Sequence, residues 1–291
     1  MMRNFVYLDS EKLKSFSSQL FEGVTEQVVS HEKSSDSHST DQKGPVSSGR
    51  MVGEIFAQER SSTQLKFLED HAYTLFEDKL LEERQVCVIP DEDPVENRTK
   101  SFVKATARIR INDFQHSVKS FRQFNQMGEA LWRVTNEKMA YFDDGGATKI
   151  VSDGEAKKKA AEIGLQLHQK VLESAAFLIE QNFGELLEIN MNSGGWLISA
   201  PIRRHFLREP EALLVQKYSR TPQIEFTVLG LPAQFGDSIE NPTEIPDVKD
   251  ANNLRDAIQS ISLHLGNIER NFGAPQAKEL ILDPIAIYAQ V

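Results

Sequence analysis

Arg203-Arg204-His205-Phe206-Leu207-Arg208 places three arginines within six residues, and Lys217, Tyr218 and Arg220 follow closely. A guanidinium offers a planar fork of N–H donors that matches a phosphate or a carboxylate, so this cluster reads as a place to hold an anion or an acidic partner loop. Pro201 and Pro210 fix φ on both flanks and so lower the entropy lost when the arginines engage. The competing explanation is pairing on the surface with Glu209, Glu211 and the other acids of a chain that has 43 acidic residues against 33 basic ones. The anion- or partner-binding set expected from the sequence is Arg203, Arg204, Arg208 and Lys217.

Other chemistry-bearing residues are scattered. The seven histidines never stand at the i, i+4 spacing of a helical metal pair. The single cysteine, Cys87, allows no intrachain disulfide and no all-cysteine zinc site, and its valine neighbours suit a small buried hydrophobe better than a nucleophile. The paired glycines at 145 and 146 and at 194 and 195 lack the spacing of a phosphate loop, and no serine occupies a nucleophile elbow. Asp91, Glu92, Asp93 and Glu96, like Asp143 and Asp144, read as solvated turn acids rather than an oxygen-ligand cation loop. The sequence therefore nominates no catalytic residue, no metal ligand and no cofactor.

A net charge of −10 disfavours general binding to phosphate backbones or anionic lipid, although a local basic patch remains available. With 40% apolar and 26% charged residues over 291 positions, composition is that of an ordinary globular chain. No apolar run approaches the ~20 residues that span a bilayer, and Asp9 and Glu11 follow the opening too soon for a secretory leader. The expected location is the cytoplasm, with no membrane and no disulfide partner.

The elements that must position these residues follow from periodicity. Phe5 to Leu8 reads as a strand, and Asp9 caps a helix from about 10 to 29 whose stripe is Leu13, Phe16, Leu20, Val24 and Val28. Residues 31 to 60 open with a Ser-, Asp- and Gly-rich stretch that cannot offset its own ordering entropy, which predicts a disordered linker or long loop. Further helices are expected at roughly 61 to 84, 113 to 136, 154 to 182 and 251 to 271. In Phe102 to Ile111 apolar and polar residues mostly alternate, giving a strand with a wet face that carries Lys104, Arg108 and Arg110. Strands are also expected at 86–89, 186–191, 196–200, 213–218, 224–229 and 285–288, the last opened by Pro284 as an edge strand.

Phe5-Val6-Tyr7-Leu8-Asp9, followed by Leu13, Phe16-Ser17-Ser18-Gln19-Leu20 and Gly23, resembles the opening of an uncharacterised bacterial family, a domain of unknown function that begins F-x-Y-L-D and then S-x-x-x-Q-L-x-x-G. The resemblance extends to Arg108-Ile109-Arg110-Ile111-Asn112-Asp113-Phe114 and to Phe226-Thr227-Val228-Leu229-Gly230. These motifs are structural and transfer no catalytic residue. The resemblance implies a defence-associated accessory or sensor role, because such families are often encoded on mobile or phage-defence islands.

The fold expected is α+β, a mixed and mostly antiparallel sheet with several long amphipathic helices packed on it. Residues 1–30 are expected to pack on a main domain at 61–291, with a sub-boundary near 184. The function expected is non-enzymatic binding, sensing or adaptation with protein partners, and an acidic or phosphate-bearing ligand is compatible with the arginine cluster. The alternative is a nucleotide- or nucleic-acid-handling enzyme that uses the same arginines.

Overall fold

The computed structural model describes residues 2–21, 62–136, 152–236 and 274–290. The expected linker at 31–60 and the expected helix at 251–271 lie outside the described residues. In chain order the described elements are β1 (Arg3–Leu8), α1 (Ser10–Leu20), α2 (Ser62–Glu82), β2 (Val86–Ile89), β3 (Phe102–Asp113), α3 (Phe114–Asn136), α4 (Asp153–Glu162), α5 (Gln169–Phe183), β4 (Leu187–Ser193), β5 (Trp196–Ile202), a single 3-10 turn (Arg204–Phe206), α6 (Glu211–Tyr218), β6 (Glu225–Phe235) and β7 (Glu279–Gln290). The fold is α+β around a mixed sheet, as expected. By compactness the chain divides into one unit of residues 1–112, 188–241 and 275–291 and a second of 113–187 and 242–274.

In the first unit the strands run in the order β1-β7-β5-β4-β3-β2, and β6 pairs with both β3 and β7. The pairings β3-β4-β5-β7-β6-β3 thus form a closed circuit. β2 on β3 and β5 on β7 are parallel, whereas β1 on β7, β6 on β3 and β6 on β7 are antiparallel. Strand alternation sorts side chains as pleating requires: Val103, Ala105, Ile109 and Ile111 of β3 are buried while Arg108 and Arg110 are exposed.

The C-terminal strand corrects an expectation. Pro284 does not open an edge strand; it lies inside β7, which pairs with β1, β5 and β6. The ladder accommodates it because Gly230 stands opposite Pro284 at an irregularity in the register. A Cβ at Gly230 would come within 2.7 Å of the Asp283 carbonyl oxygen and 2.9 Å of Pro284 Cα, so only glycine permits the approach.

The N-terminal strand and helix are integral to this unit. Asp9 caps α1 as expected, with Lys12 N donating to Asp9 Oδ1 at 3.0 Å. Leu13 is fully buried in a core built from Phe5, Leu8, Tyr73, Phe76, Leu80, Phe102, Leu229 and Tyr288. Phe16 is only partly buried and meets Phe102 edge-on at 5.6 Å. Leu13→Ala should therefore cost about 2–5 kcal/mol, with Phe16→Ala costing less, as read by urea unfolding of the full chain. Equal losses at the two positions would contradict the burial order.

In the second unit α3 packs on α5, and Phe114 stacks on Phe183 with centroids 4.3 Å apart. One long helix was expected from about 154 to 182, but the chain forms two, α4 and α5, separated at 163–168. Gly164 turns to φ +77°, and Asn125 fixes the reversal by accepting from Leu167 N at 2.9 Å and donating to Leu167 O at 3.0 Å. The break moves the buried face: Leu172 and Ala176 are covered, whereas Ile163, Leu167, Val171 and Leu178, whose spacing of four, four and seven would form one stripe on an unbroken helix, are exposed. Gly128 of α3 faces Leu165 O across a gap that a Cβ would close to 2.1 Å. The expected strand at 213–218 is likewise a helix, α6, entered from Pro210 and holding Leu214 as its buried residue.

Candidate functional site

All four residues of the arginine-lysine cluster lie in the first unit, and each is paired with a carboxylate. Arg203 meets the fully buried Asp9 at 3.1 Å and Glu11 at 3.4 Å, and its guanidinium lies 5.2 Å from the Phe206 ring centroid. Arg204 pairs with Glu211, and Lys217 holds both carboxylate oxygens of Glu209 at 2.5 and 2.7 Å. Arg208 reaches Glu69 at 3.0 Å and Asp70 at 2.6 Å on α2, while its backbone N donates to Val6 O at 3.0 Å. These contacts tie the 203–208 segment to β1, α1 and α2. The side chains of Arg203 and Lys217 keep 47% and 44% exposure, so their charge still reaches solvent.

A second charged cluster is interior. Glu77 on α2 is fully buried, receives Arg3 Nη2 at 2.5 Å and Lys104 Nζ at 3.0 Å, and accepts from Tyr288 Oη at 2.8 Å. The Arg3 guanidinium also lies 5.7 and 5.3 Å from the ring centroids of Tyr73 and Tyr288. Burial, followed by the nearby Glu77 charge, pushes both tyrosine hydroxyls well above their ordinary range. This arrangement joins β1, α2, β3 and β7.

The concave site lies on the sheet. A cleft of about 460 Å³ is lined by Arg108 and Arg110 of β3, Glu188, Asn190 and Asn192 of β4, Leu197 of β5, Glu279 of β7, and Thr221 and Gln276 at its rim. Pleating puts the strand residues among them on one face, because positions two apart in a strand point the same way. Thr221 is brought near β3 by Ile111 N donating to Arg220 O at 2.8 Å.

Hydrogen bonds that run through four strands, β3, β4, β5 and β7, fix the carboxylate wall. Asn112 Nδ2 donates to Asn190 Oδ1; Asn190 Nδ2 donates to Glu188 Oε1 at 2.8 Å and to Ser199 Oγ at 2.9 Å; Ser199 Oγ donates to Glu279 Oε1. Gln276 N closes the chain on Glu279 Oε2 at 2.7 Å. Every donor in this network is spent on it, and it ends on two carboxylates. Among the described residues, by contrast, neither Arg108 nor Arg110 has an ion-pair partner.

Burial is the main cause that raises the Glu188 carboxyl above its usual range; the Asn190 hydrogen bond opposes it and the Glu279 charge adds to it. A carboxyl raised in the folded state favours folding at low pH, and that contribution is lost as pH rises through the folded value. Glu188→Gln should therefore leave stability unchanged at pH 3.5 and increase it at pH 7.5. Melting curves at the two pH values check this, and a loss of stability at pH 7.5 would contradict it.

Cys87 is buried, and burial together with Glu92 pushes its thiol up to about 11, which suits a packed hydrophobe rather than a thiolate nucleophile. Glu92 is held low by Lys100, 2.5 Å away, and Val88 N donates to it at 3.2 Å, so this turn acid is part of a local tie. Among the described residues no group of three His, Cys, Asp or Glu side chains is placed to hold a metal ion, and no helix is long and apolar enough to cross a membrane.

Periodicity placed Arg108 and Arg110 together on a wet face of β3. It did not reveal Glu188, Asn190, Ser199 or Glu279 as their neighbours, because that proximity comes from strand order. The only local signal was the polar residue at every second position of Glu188-Ile189-Asn190-Met191-Asn192.

Fold and cleft together define an α+β protein with a preorganised polar groove on the face of a mixed sheet. The chain belongs to the family described as a domain of unknown function, DUF6414, whose model matches residues 2–288. No curated protein and no solved structure matches it.

Proposed function

We propose that this protein is a non-enzymatic binding or sensor module that recognises a small polar ligand in the sheet cleft. The observation that carries this reading is the contrast between two sets of cations. The arginines clustered in sequence at 203–208 are engaged by carboxylates of their own chain, whereas Arg108 and Arg110 face a concave site with no ion-pair partner among the described residues. A groove whose opposite wall is already fixed by strand-borne hydrogen bonds loses little entropy when it captures a ligand. Signalling to a protein partner from the cytoplasm, as an accessory to phage defence, is the wider setting we propose; its support is the family resemblance of the N-terminal motif.

The experiment is native mass spectrometry of the full chain incubated with the small-molecule fraction of an extract of its host cells. The native protein should carry a discrete added mass that Arg108→Gln with Arg110→Gln removes, while both proteins melt at the same temperature. No added mass, or the same mass on the variant, would overturn the reading.

A second reading has its own observation in the exposure of Arg203 and Lys217. In it the segment at Arg203, Arg204, Arg208 and Lys217 meets an acidic or phosphate-bearing partner, or serves a nucleotide- or nucleic-acid-handling enzyme. Substituting Arg203 and Lys217 by Gln would then remove the interaction, and the cleft substitutions would leave it intact.

A further inference from the structure

The two walls of the cleft differ in hydrogen-bonding character, and that difference specifies a ligand. On β3, Arg108 and Arg110 stand two residues apart on one face, with Cα positions roughly 7 Å apart, and they offer donors only. Asn112 on β3 donates to Asn190, and on β4 and β5 the protons of Asn190 and Ser199 run on to Glu188 and Glu279, so the fixed part of the wall formed by β4, β5 and β7 presents carboxylate acceptors. Although both walls line one cleft, no ion pair joins either arginine to Glu188 or Glu279. A complementary molecule is anionic at one end and carries hydroxyl or amino donors at the other.

The anionic end is further specified by geometry. A carboxylate matches a single guanidinium fork with its two oxygens, whereas a phosphate monoester presents three terminal oxygens and so offers an oxygen pair to each of two forks. Vicinal hydroxyls suit the other wall, because each can donate to a carboxylate oxygen without the charge of an ammonium. Leu197, half-buried in the lining, supplies an apolar surface for a sugar ring or a base. A volume of about 460 Å³ lies within the size range of small-molecule sites.

Building on the cleft reading above, we propose that the site takes a phosphorylated sugar, free or as part of a nucleotide, with its phosphate on Arg108 and Arg110 and its hydroxyls on Glu188 and Glu279.

Isothermal titration of the full chain with ribose 5-phosphate, adenosine 5′-monophosphate, inorganic phosphate and ribose tests this. A phosphorylated sugar should bind at least tenfold more tightly than inorganic phosphate, and ribose should bind more weakly than either. Arg108→Gln with Arg110→Gln should weaken the phosphorylated sugar at least tenfold. Glu188→Gln, which puts an amide donor where an acceptor stood, should erase the advantage of the sugar over inorganic phosphate while leaving inorganic phosphate unchanged. Both variants replace exposed or half-buried side chains, and a native circular dichroism spectrum with a cooperative melt no lower than that of the native protein confirms that they fold. Tighter binding of the nucleotide would identify a base-bearing source, and tighter binding of ribose 5-phosphate a free sugar phosphate. The proposal is overturned if inorganic phosphate binds as tightly as either ester, if the double variant binds them unchanged, or if no probe binds. An Arg108- and Arg110-dependent mass without phosphorus in the native spectrum would overturn this ligand class and leave the cleft reading standing. Absence of any dependent mass would remove both.

Discussion

Glu77→Leu should cost about 3–5 kcal/mol of stability, the range expected when one member of a buried ion pair is removed and its partner is left. The Glu77 carboxylate has no exposure and is shared by Arg3, Lys104 and the Tyr288 hydroxyl, while the side chains of Arg3 and Lys104 are each only 18% exposed. Leucine nearly conserves volume, so cavity formation contributes little and the loss reports the uncompensated cations. Glu77→Gln keeps an acceptor for Tyr288 and should lose less. Urea unfolding followed by circular dichroism measures both. A loss below about 1 kcal/mol for Glu77→Leu would mean that Arg3 and Lys104 find water at little cost, and that burial of this cluster is not what joins β1, α2, β3 and β7.

Arg208→Glu is the second large effect, and it is expected in stability before binding. The Arg208 side chain is 12% exposed and Glu69 7%, and the substitution places a carboxylate against both Glu69 and Asp70. The loss should reach about 3–5 kcal/mol, because a buried pair becomes a buried repulsion. Adding Glu69→Arg should recover part of it, since the exchanged pair restores opposite charges across the same contact. A folded Arg208→Glu protein of native stability would show that the 203–208 segment is detachable from α2 and available to a partner.

The ion pairs behind these effects join residues far apart in the chain. Six residues containing three arginines look like a surface device, and nothing nearby announces that Asp9, Glu69 and Asp70 will stand against them. Those acids are more than 130 residues away in the chain and arrive by packing. The capping role of Asp9 was legible because capping is local: Asp9 holds a backbone N–H three residues on, and Asp113 and Ser152 do the same in the structure. Alternation along β3 was legible for the same reason. The split of the expected 154–182 helix was not, because Gly164 reverses the chain through contacts with Asn125 on a different helix. Pro284 misled for a related cause, since the glycine that admits it to a central strand lies on β6. In the cleft, Arg108 and Arg110 were visible as a pair and the residues facing them were not.

The second unit carries an exposed apolar groove on α5. Val171 and Leu178 on α5 are 63% and 40% exposed and line a shallow apolar groove with Ala175. Exposed apolar surface of this kind is common in protein contacts.

On the function proposed above, recognition belongs to the sheet cleft and not to the arginine turn. Hydrogen–deuterium exchange of the full chain, with and without the small-molecule fraction of a host-cell extract, tests it most directly. Slower exchange should appear at 274–279 and at the cleft-lining ends of β3 and β4, with exchange across 203–218 unchanged. Protection confined to 203–218, with none at 274–279 or in β3 and β4, would contradict it.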